Sequence, residues 1–176
     1  MAFLDPVKAL TLLGIEEGMV IGDFGAGSGV FAHLLSKRTG PYGRVYAIDI
    51  NKDLLQKIKR EGSKNGVHII ETVWADFEKP HGSKLREKLL DRALLANTLF
   101  LVEDKKGAIE EVTRVLKPNG RVLVIDWTES HGGLGPHPDQ VIDEATVRAL
   151  CEDSGLTYLR HVDVGSYHYG MIFSKL

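Results

Sequence analysis

Five short runs in this chain are nearly unbroken in apolar residues: residues 19–24 (MVIGDF), 44–50 (RVYAIDI), 67–74 (VHIIETVW), 92–96 (RALLA) and 121–127 (RVLVIDW). A strand with one wet face alternates apolar and polar residues, whereas a strand covered on both faces need not. The runs therefore predict parallel strands sandwiched between helical layers. The intervening segments have helical spacing and readable ends. After the first run, Val30, Phe31, Leu34 and Leu35 mark one predicted inward face, closed by Gly40-Pro41. Asn51 is placed to cap a second helix with Leu54, Leu55 and Ile58 inward, stopping near Gly62. Asp104 opens a third, with Ile109, Val112, Val115 and Leu116 on its face and a stop at Pro118-Asn119-Gly120. Asp143 opens a fourth, with Val147 and Leu150 inward and an end at Gly155.

The tail breaks the alternation. LTYLRHVDV and YHYGMIFSKL are strand-like and are joined only by Gly165-Ser166, a connection short enough to require antiparallel pairing. The expected fold class is α/β, a doubly wound, mostly parallel sheet with a reversed C-terminal strand. No repeat or linker divides the chain, so residues 1–176 are expected to form one domain. Residues 78–88 (EKPHGSKLREK) read as a polar loop with a poorly formed helix.

Composition narrows the class of partner. The net charge of -2 offers no basic excess for nucleic acid or an anionic membrane. The single Cys151 excludes an intrachain disulfide and agrees with a reducing cytoplasm. Asp5 and Pro6 interrupt the start where a secretory leader needs an apolar block. No run approaches the ~20 apolar residues of a membrane span. The expectation is a soluble cytoplasmic protein without a membrane span.

Function concentrates in residues 20–31, VIGDFGAGSGVF, where Gly25, Gly27 and Gly29 follow the first strand and precede a helix. Ligands of open α/β sheets bind beyond the carboxyl ends of the strands, and a glycine turn there lets a ligand approach the backbone and a helix N-terminus. The alternative is a tight turn and nothing more. A phosphate-cradling P-loop is excluded, because no Gly-Lys-Ser/Thr follows. The dinucleotide pattern fits poorly, since Val30 stands where a small residue is wanted and Asp23 would repel a pyrophosphate. A carboxylate there suits a ligand bearing an ammonium group. Asp49, ending the second strand, can accept from two ribose hydroxyls, or it can compensate the following helix N-terminus. Asp76 with Phe77, ending the third strand, fits an adenine pocket or a plain loop.

Together these segments resemble the class I S-adenosylmethionine-dependent methyltransferases over nearly the whole chain. DFGAGSG is similar to the family's E/D-x-G-x-G-x-G, YAIDIN to its acidic second-strand end, and ADF to its third-strand acid. ANTLFLVED resembles the fourth-strand segment, and EVTRVLKPNGRVLVIDW resembles the L-K-P-G-G-rich helix-turn-strand. Among subgroups the chain looks most like the quinone-biosynthesis-type small-molecule enzymes. The resemblance implies a Rossmann-like fold, S-adenosyl-L-methionine as cofactor and transfer of its methyl group by in-line displacement to a small-molecule substrate. It implies that Gly25, Ala26, Gly27, Ser28 and Gly29 pass the methionine moiety, with Asp23 near its ammonium. Asp49 and Ile50 would hold the ribose and neighbouring adenine, Asp76 and Phe77 would bound the adenine, and Asn97 would contact the amino-acid part or face the substrate.

Catalytic candidates sit in two late loops. WTESHGGLGPHPDQ offers Glu129, His131 and His137, and GSYHYG offers Tyr167, His168 and Tyr169. Of these, His168, Tyr169 and His131 are the expected catalytic residues. A base is needed only for an acceptor that is protonated at working pH. No metal is expected, since His131 and His137 are separated by glycines and a proline with no further ligand in view. ANTLF lacks the paired prolines of nucleic-acid amino-methyltransferases, so no nucleic acid is expected as partner. Two rivals stay open: a protein or RNA methyltransferase, and a catalytically silent cofactor-binding module serving a partner.

Overall fold

The computed structural model describes residues 4–133 and 135–176. Seven strands form one sheet in the order β3-β2-β1-β4-β5-β7-β6: β1 (Val20–Phe24), β2 (Arg44–Asp49), β3 (Ile70–Trp74), β4 (Leu90–Ala96), β5 (Leu116–Trp127), β6 (Leu156–Val162) and β7 (His168–Lys175). Strands β1 to β5 pair in parallel, and β7 runs antiparallel to both β5 and β6. The sequence-predicted α/β class with a reversed last strand is the fold observed.

Both faces of the sheet are covered, which is why its strands do not alternate. On β5, Val122 and Val124 pack with Ile109 and Val112 of α4 (Lys105–Val115) and Val147 of α5 (Glu144–Asp153). Their neighbours Leu123 and Ile125 join Leu10 of α1 (Pro6–Leu13), Leu35 of α2 (Val30–Thr39) and Ile58 of α3 (Lys52–Lys64). Each such fully buried aliphatic side chain contributes about 1.5–3 kcal/mol of transfer free energy. Among the described residues, no helix is long and apolar enough to cross a membrane.

The predicted caps are in place. Asn51 accepts from the Asp53 and Leu54 amides, Asp104 from Gly107, and Asp143 from Thr146. Four local expectations need correction. Helix α1 was not foreseen, although Asp5 caps it through the Lys8 amide at 3.0 Å, Pro6 opens it and Gly14 closes it at φ 69°. Val30 is 52% exposed, because the inward face of α2 is Ala32, Leu35, Ser36 and Thr39. That face includes two hydroxyls satisfied by main-chain carbonyls, Ser36 on His33 and Thr39 on Met19, so an apolar pattern could not reveal it. Pro118-Asn119-Gly120 lies within the span of β5 as a bulge with Asn119 at φ 63°, since Leu116 pairs with Leu90 and Arg121 with Arg92. Residues 78–88 form no helix. Buried Glu111 orders this loop by accepting from the His81 and Ser83 amides and the Ser83 hydroxyl, with Arg114 as its counter-ion.

Candidate active site

The glycine loop leaves β1 by hanging two successive amides, Gly25 and Ala26, on the Ile48 carbonyl of β2 at 2.9 and 3.0 Å. Its three glycines have φ of 76°, 52° and 86°, in the left-handed region that side chains disfavour. A Cβ on Gly25 would stand 2.5 Å from the Thr98 hydroxyl oxygen, and one on Gly29 would stand 2.5 Å from Ile58. A Cβ on Gly27 would meet nothing nearer than the Gly25 carbonyl at 3.9 Å. The outer glycines therefore seat the loop, and the middle one keeps its outer side clear.

Asp49 ties this loop to β2. One carboxylate oxygen accepts from the Gly27 amide and the other from the Asn51 amide, each at 2.8 Å. Above it opens a cleft of about 290 Å³, bounded by Gly25, Gly27, Asp49, Ile50, Asp76, Phe77 and Asn97, and also by Leu54, Ala75, Glu78, Thr98, Leu101 and Val102. Phe77 is buried edge-on against Phe24, with ring centroids 5.4 Å apart, and forms an apolar wall. Asp76 bends the chain by accepting from the Glu78 amide at 3.1 Å. Ile50 and Leu101 form exposed lips, at 68% and 64%. Asn97 has φ 54° and gives its amide to the Ile125 carbonyl, while its buried Oδ1 has no hydrogen-bond partner among the described residues.

Asp23 and Ser28 do not line the cleft. Asp23 lies behind the loop, 2% exposed, and its Oδ2 has no hydrogen-bond partner among the described residues. Burial, and then the neighbouring Asp49 charge, push its carboxyl up to about 7, against a lowering contribution from the Ala32 amide. Ser28 is exposed, whereas Ala26 and Gly29 are buried in the loop's seat.

The late loops meet at the same edge of the sheet, since antiparallel β7 starts where β5 ends. Trp127 pairs with His168 and Asp126 with Tyr169. The Trp127 and His168 rings meet at a tilt of 42° with centroids 4.3 Å apart, and His131 meets Tyr167 edge-on at 4.4 Å. Gly135 lies on the Trp127 ring, where a Cβ would stand 2.6 Å from it. Tyr169 is buried and donates its hydroxyl to the Ile142 carbonyl at 3.0 Å, and burial together with nearby acids raises its phenol further. His137 instead caps a 3₁₀ turn (Pro138–Gln140), and Glu129 is exposed. His168 and Tyr169 at the start of β7 and His131 in the loop after β5 thus form a rim that is not part of the cleft's lining. Among the described residues, no group of three or more His, Cys, Asp or Glu is arranged to hold a metal ion.

Asp126 was missed by sequence reasoning. It is 1% exposed, accepts from the Trp127 amide at 2.9 Å and the Phe100 amide at 3.3 Å, and burial pushes its carboxyl up to about 6. The available signal was an acid ending the apolar run VLVID at the carboxyl edge.

A parallel sheet with one reversed strand, a glycine loop after β1 and acids ending β2 and following β3 defines the class I type of methyltransferase domain. The methyltransferase domain family matches residues 15–161, and the chain belongs to that family. A ubiquinone/menaquinone biosynthesis C-methyltransferase UbiE of Bordetella parapertussis is 33% identical over 135 residues, 75% of this chain and 50% of the relative. The UbiE of Pseudomonas fluorescens is 35% identical over 127 residues, 71% of this chain and 48% of the relative. The chain spans about half the length of these curated relatives. A crystal structure of a SAM-dependent methyltransferase from Aquifex aeolicus superposes with a TM-score of 0.89 at 31% identity, covering 98% of this chain and 90% of that one.

Proposed function

We propose that this chain is an S-adenosylmethionine-dependent methyltransferase acting on a small molecule. The observation that carries the reading is the floor of the cleft, where Asp49 holds the Gly27 amide while a clear space is kept over Gly27. A carboxylate ending β2 suits ribose hydroxyls, and Asp23 beside the glycine loop disfavours a pyrophosphate and suits a ligand with an ammonium group. S-adenosylmethionine supplies a methyl group on a sulfonium, already activated for displacement, so the protein need not create an electrophile.

The chain's own contribution is binding and positioning. Asp49 has its two oxygens fixed by backbone amides and so presents its remaining lone pairs in one direction. On this reading they accept from ribose hydroxyls. Ile50, Phe77 and Leu101 give apolar walls for a base, Asp76 an acceptor for its amino group, and the orphan Asn97 carbonyl oxygen an acceptor for an ammonium. The acceptor substrate approaches from the β5–β7 rim, where His131 and His168 are candidates to take a proton, His168 lying buried against the equally buried Trp127 ring. Tyr169, bonded to Ile142, contributes there by holding the rim.

The UbiE relatives support a small-molecule acceptor, and the single Cys151 supports a cytoplasmic setting. Incubation of the purified chain with methyl-labelled donor and fractionated metabolite, protein and RNA pools tests the reading. Label is expected in the small-molecule fraction; label confined to protein or RNA refutes it.

A further inference from the structure

The turn after β4 supplies Asn97, Thr98, Leu101 and Val102 to the cleft. Its two ends are anchored by burial: Thr98 donates its hydroxyl to the Phe24 and Ala96 carbonyls at 3.2 and 3.0 Å, and Leu99 and Val102 join the core. Leu101 lies exposed between them, so core packing does not fix it. What reaches this stretch is Asp126, from the end of β5. Its buried carboxylate takes the Phe100 amide on Oδ2 at 3.3 Å and the Trp127 amide on Oδ1 at 2.9 Å, and the Leu99 amide also faces it. No side chain competes for that charge at close range. Lys105 of α4 spends its ammonium on the Val102 carbonyl at 2.6 Å, and Tyr169 of β7, the register partner of Asp126, donates to Ile142. From α5, Asp143, Glu144 and Cys151 face the Tyr169 phenol. The amides of the turn are therefore what the Asp126 charge serves.

We propose that Asp126 is a positioning residue for the cofactor: by holding the Phe100 amide, its carboxylate sets the Leu101 lip against the adenosyl part of the bound molecule, and the lip loosens when the carboxylate is neutral. This rests on the cofactor reading above and adds to it a residue outside the cleft that governs the cleft's affinity. Asp126 touches no ligand and acts through Leu101. A neutral carboxyl keeps acceptor oxygens but loses the charge that makes such bonds about twice as strong, and its own proton then points among donors. Burial pushes this carboxyl up to about 6, so it is ionised at pH 8 and mostly protonated at pH 5. Losing one charge-assisted bond on the lip corresponds to roughly a 10-fold loss of affinity. Linkage then narrows that difference to under about 2-fold at pH 5, where the unaltered chain has itself lost the charge.

The test is calorimetric titration with S-adenosylhomocysteine of the unaltered chain, Asp126→Asn, Leu101→Ala and the double variant, at pH 8 and pH 5. Asparagine keeps the volume but turns an amino group toward the amides. At pH 8 each single variant is expected to bind roughly 10-fold more weakly, with little further loss in the double variant because both changes act on one lip. At pH 5 all four chains are expected to agree within about 2-fold. Asp23 titrates alike in all of them and cancels in the ratios. Full affinity of Asp126→Asn at pH 8, losses that add in the double variant, or a gap of equal size at both pH values overturns the proposal and leaves the cofactor reading intact; a merely structural Asp126 gives that constant gap. Leu101→Ala leaves the buried carboxylate in place, so its ratio to the unaltered chain at the two pH values decides the matter where Asp126→Asn does not fold. Absence of binding by the unaltered chain overturns the cofactor reading itself and this inference with it.

Discussion

Replacing Asp23 by asparagine removes a titration that folding makes unfavourable. The unfolded chain holds this carboxyl at its ordinary 3.8, and the folded chain holds it at about 7. Between those values the folded state binds more protons at this site than the unfolded state, so the site's contribution to stability falls as pH rises through the window. The loss is complete above the folded value. A difference of about three units at ~1.4 kcal/mol each sets an upper bound of about 4 kcal/mol, of which roughly 2–3 kcal/mol falls between pH 5 and 8.5. Asparagine preserves the volume and the acceptor for the Ala32 amide but cannot ionise. Urea unfolding at a series of pH values should therefore show the variant gaining on the wild type by roughly 2–3 kcal/mol from pH 5 to pH 8.5. Asp126 titrates with the same sign in both proteins and cancels in the difference. A gap that stays constant across that range contradicts the burial argument, whatever its size at any one pH.

The glycine loop makes a graded prediction. Gly25→Ala meets both the left-handed backbone cost and the Thr98 side chain and should lose about 2–4 kcal/mol, whereas Gly27→Ala meets only the backbone cost of ~1–2 kcal/mol. Equal losses in chemical denaturation would remove Thr98 from the account. Glu111→Gln strips the Arg114 guanidinium of its buried counter-charge, and a loss of roughly 3 kcal/mol with faster proteolysis inside residues 78–88 is expected. Unaltered cleavage of that loop would show that something else holds it. His168→Ala should leave cofactor affinity unchanged and slow turnover of an identified acceptor by ~10²-fold or more, the usual contribution of a positioned base. Unchanged turnover removes His168 from the candidates for a base.

Much of this molecule was legible because its signals are local and periodic. Unbroken apolar runs expose a two-sided sheet, and Gly165-Ser166 is too short to permit anything but a reversed strand. The cleft floor was legible for a similar reason: Gly25, Gly27 and Asp49 sit at strand ends, where side chains converge in any open α/β sheet. What escaped depends on tertiary partners. Ser36 and Thr39 face inward because main-chain carbonyls receive their hydroxyls. Thr98 and Leu101 reach the cleft only because the turn after β4 folds beside Gly25, with Asp126 of the next strand holding the Phe100 amide. Helix α1 is hidden because Asp5-Pro6 looks like an interruption in the sequence, whereas in the fold the same pair is a cap followed by a first-turn proline.

The central claim is that carboxylates beneath the glycine loop choose an adenosyl cation over phosphates. Calorimetric titration of the purified chain with S-adenosylmethionine, NAD and ATP, alongside Asp49→Ala, tests it most directly. The account predicts one-to-one saturation by S-adenosylmethionine alone, weakened at least ~100-fold in Asp49→Ala with the far-ultraviolet circular dichroism unchanged, the loss expected when charge-assisted hydrogen bonds at a ribose are removed. Saturation by NAD or ATP with no response to S-adenosylmethionine would contradict it.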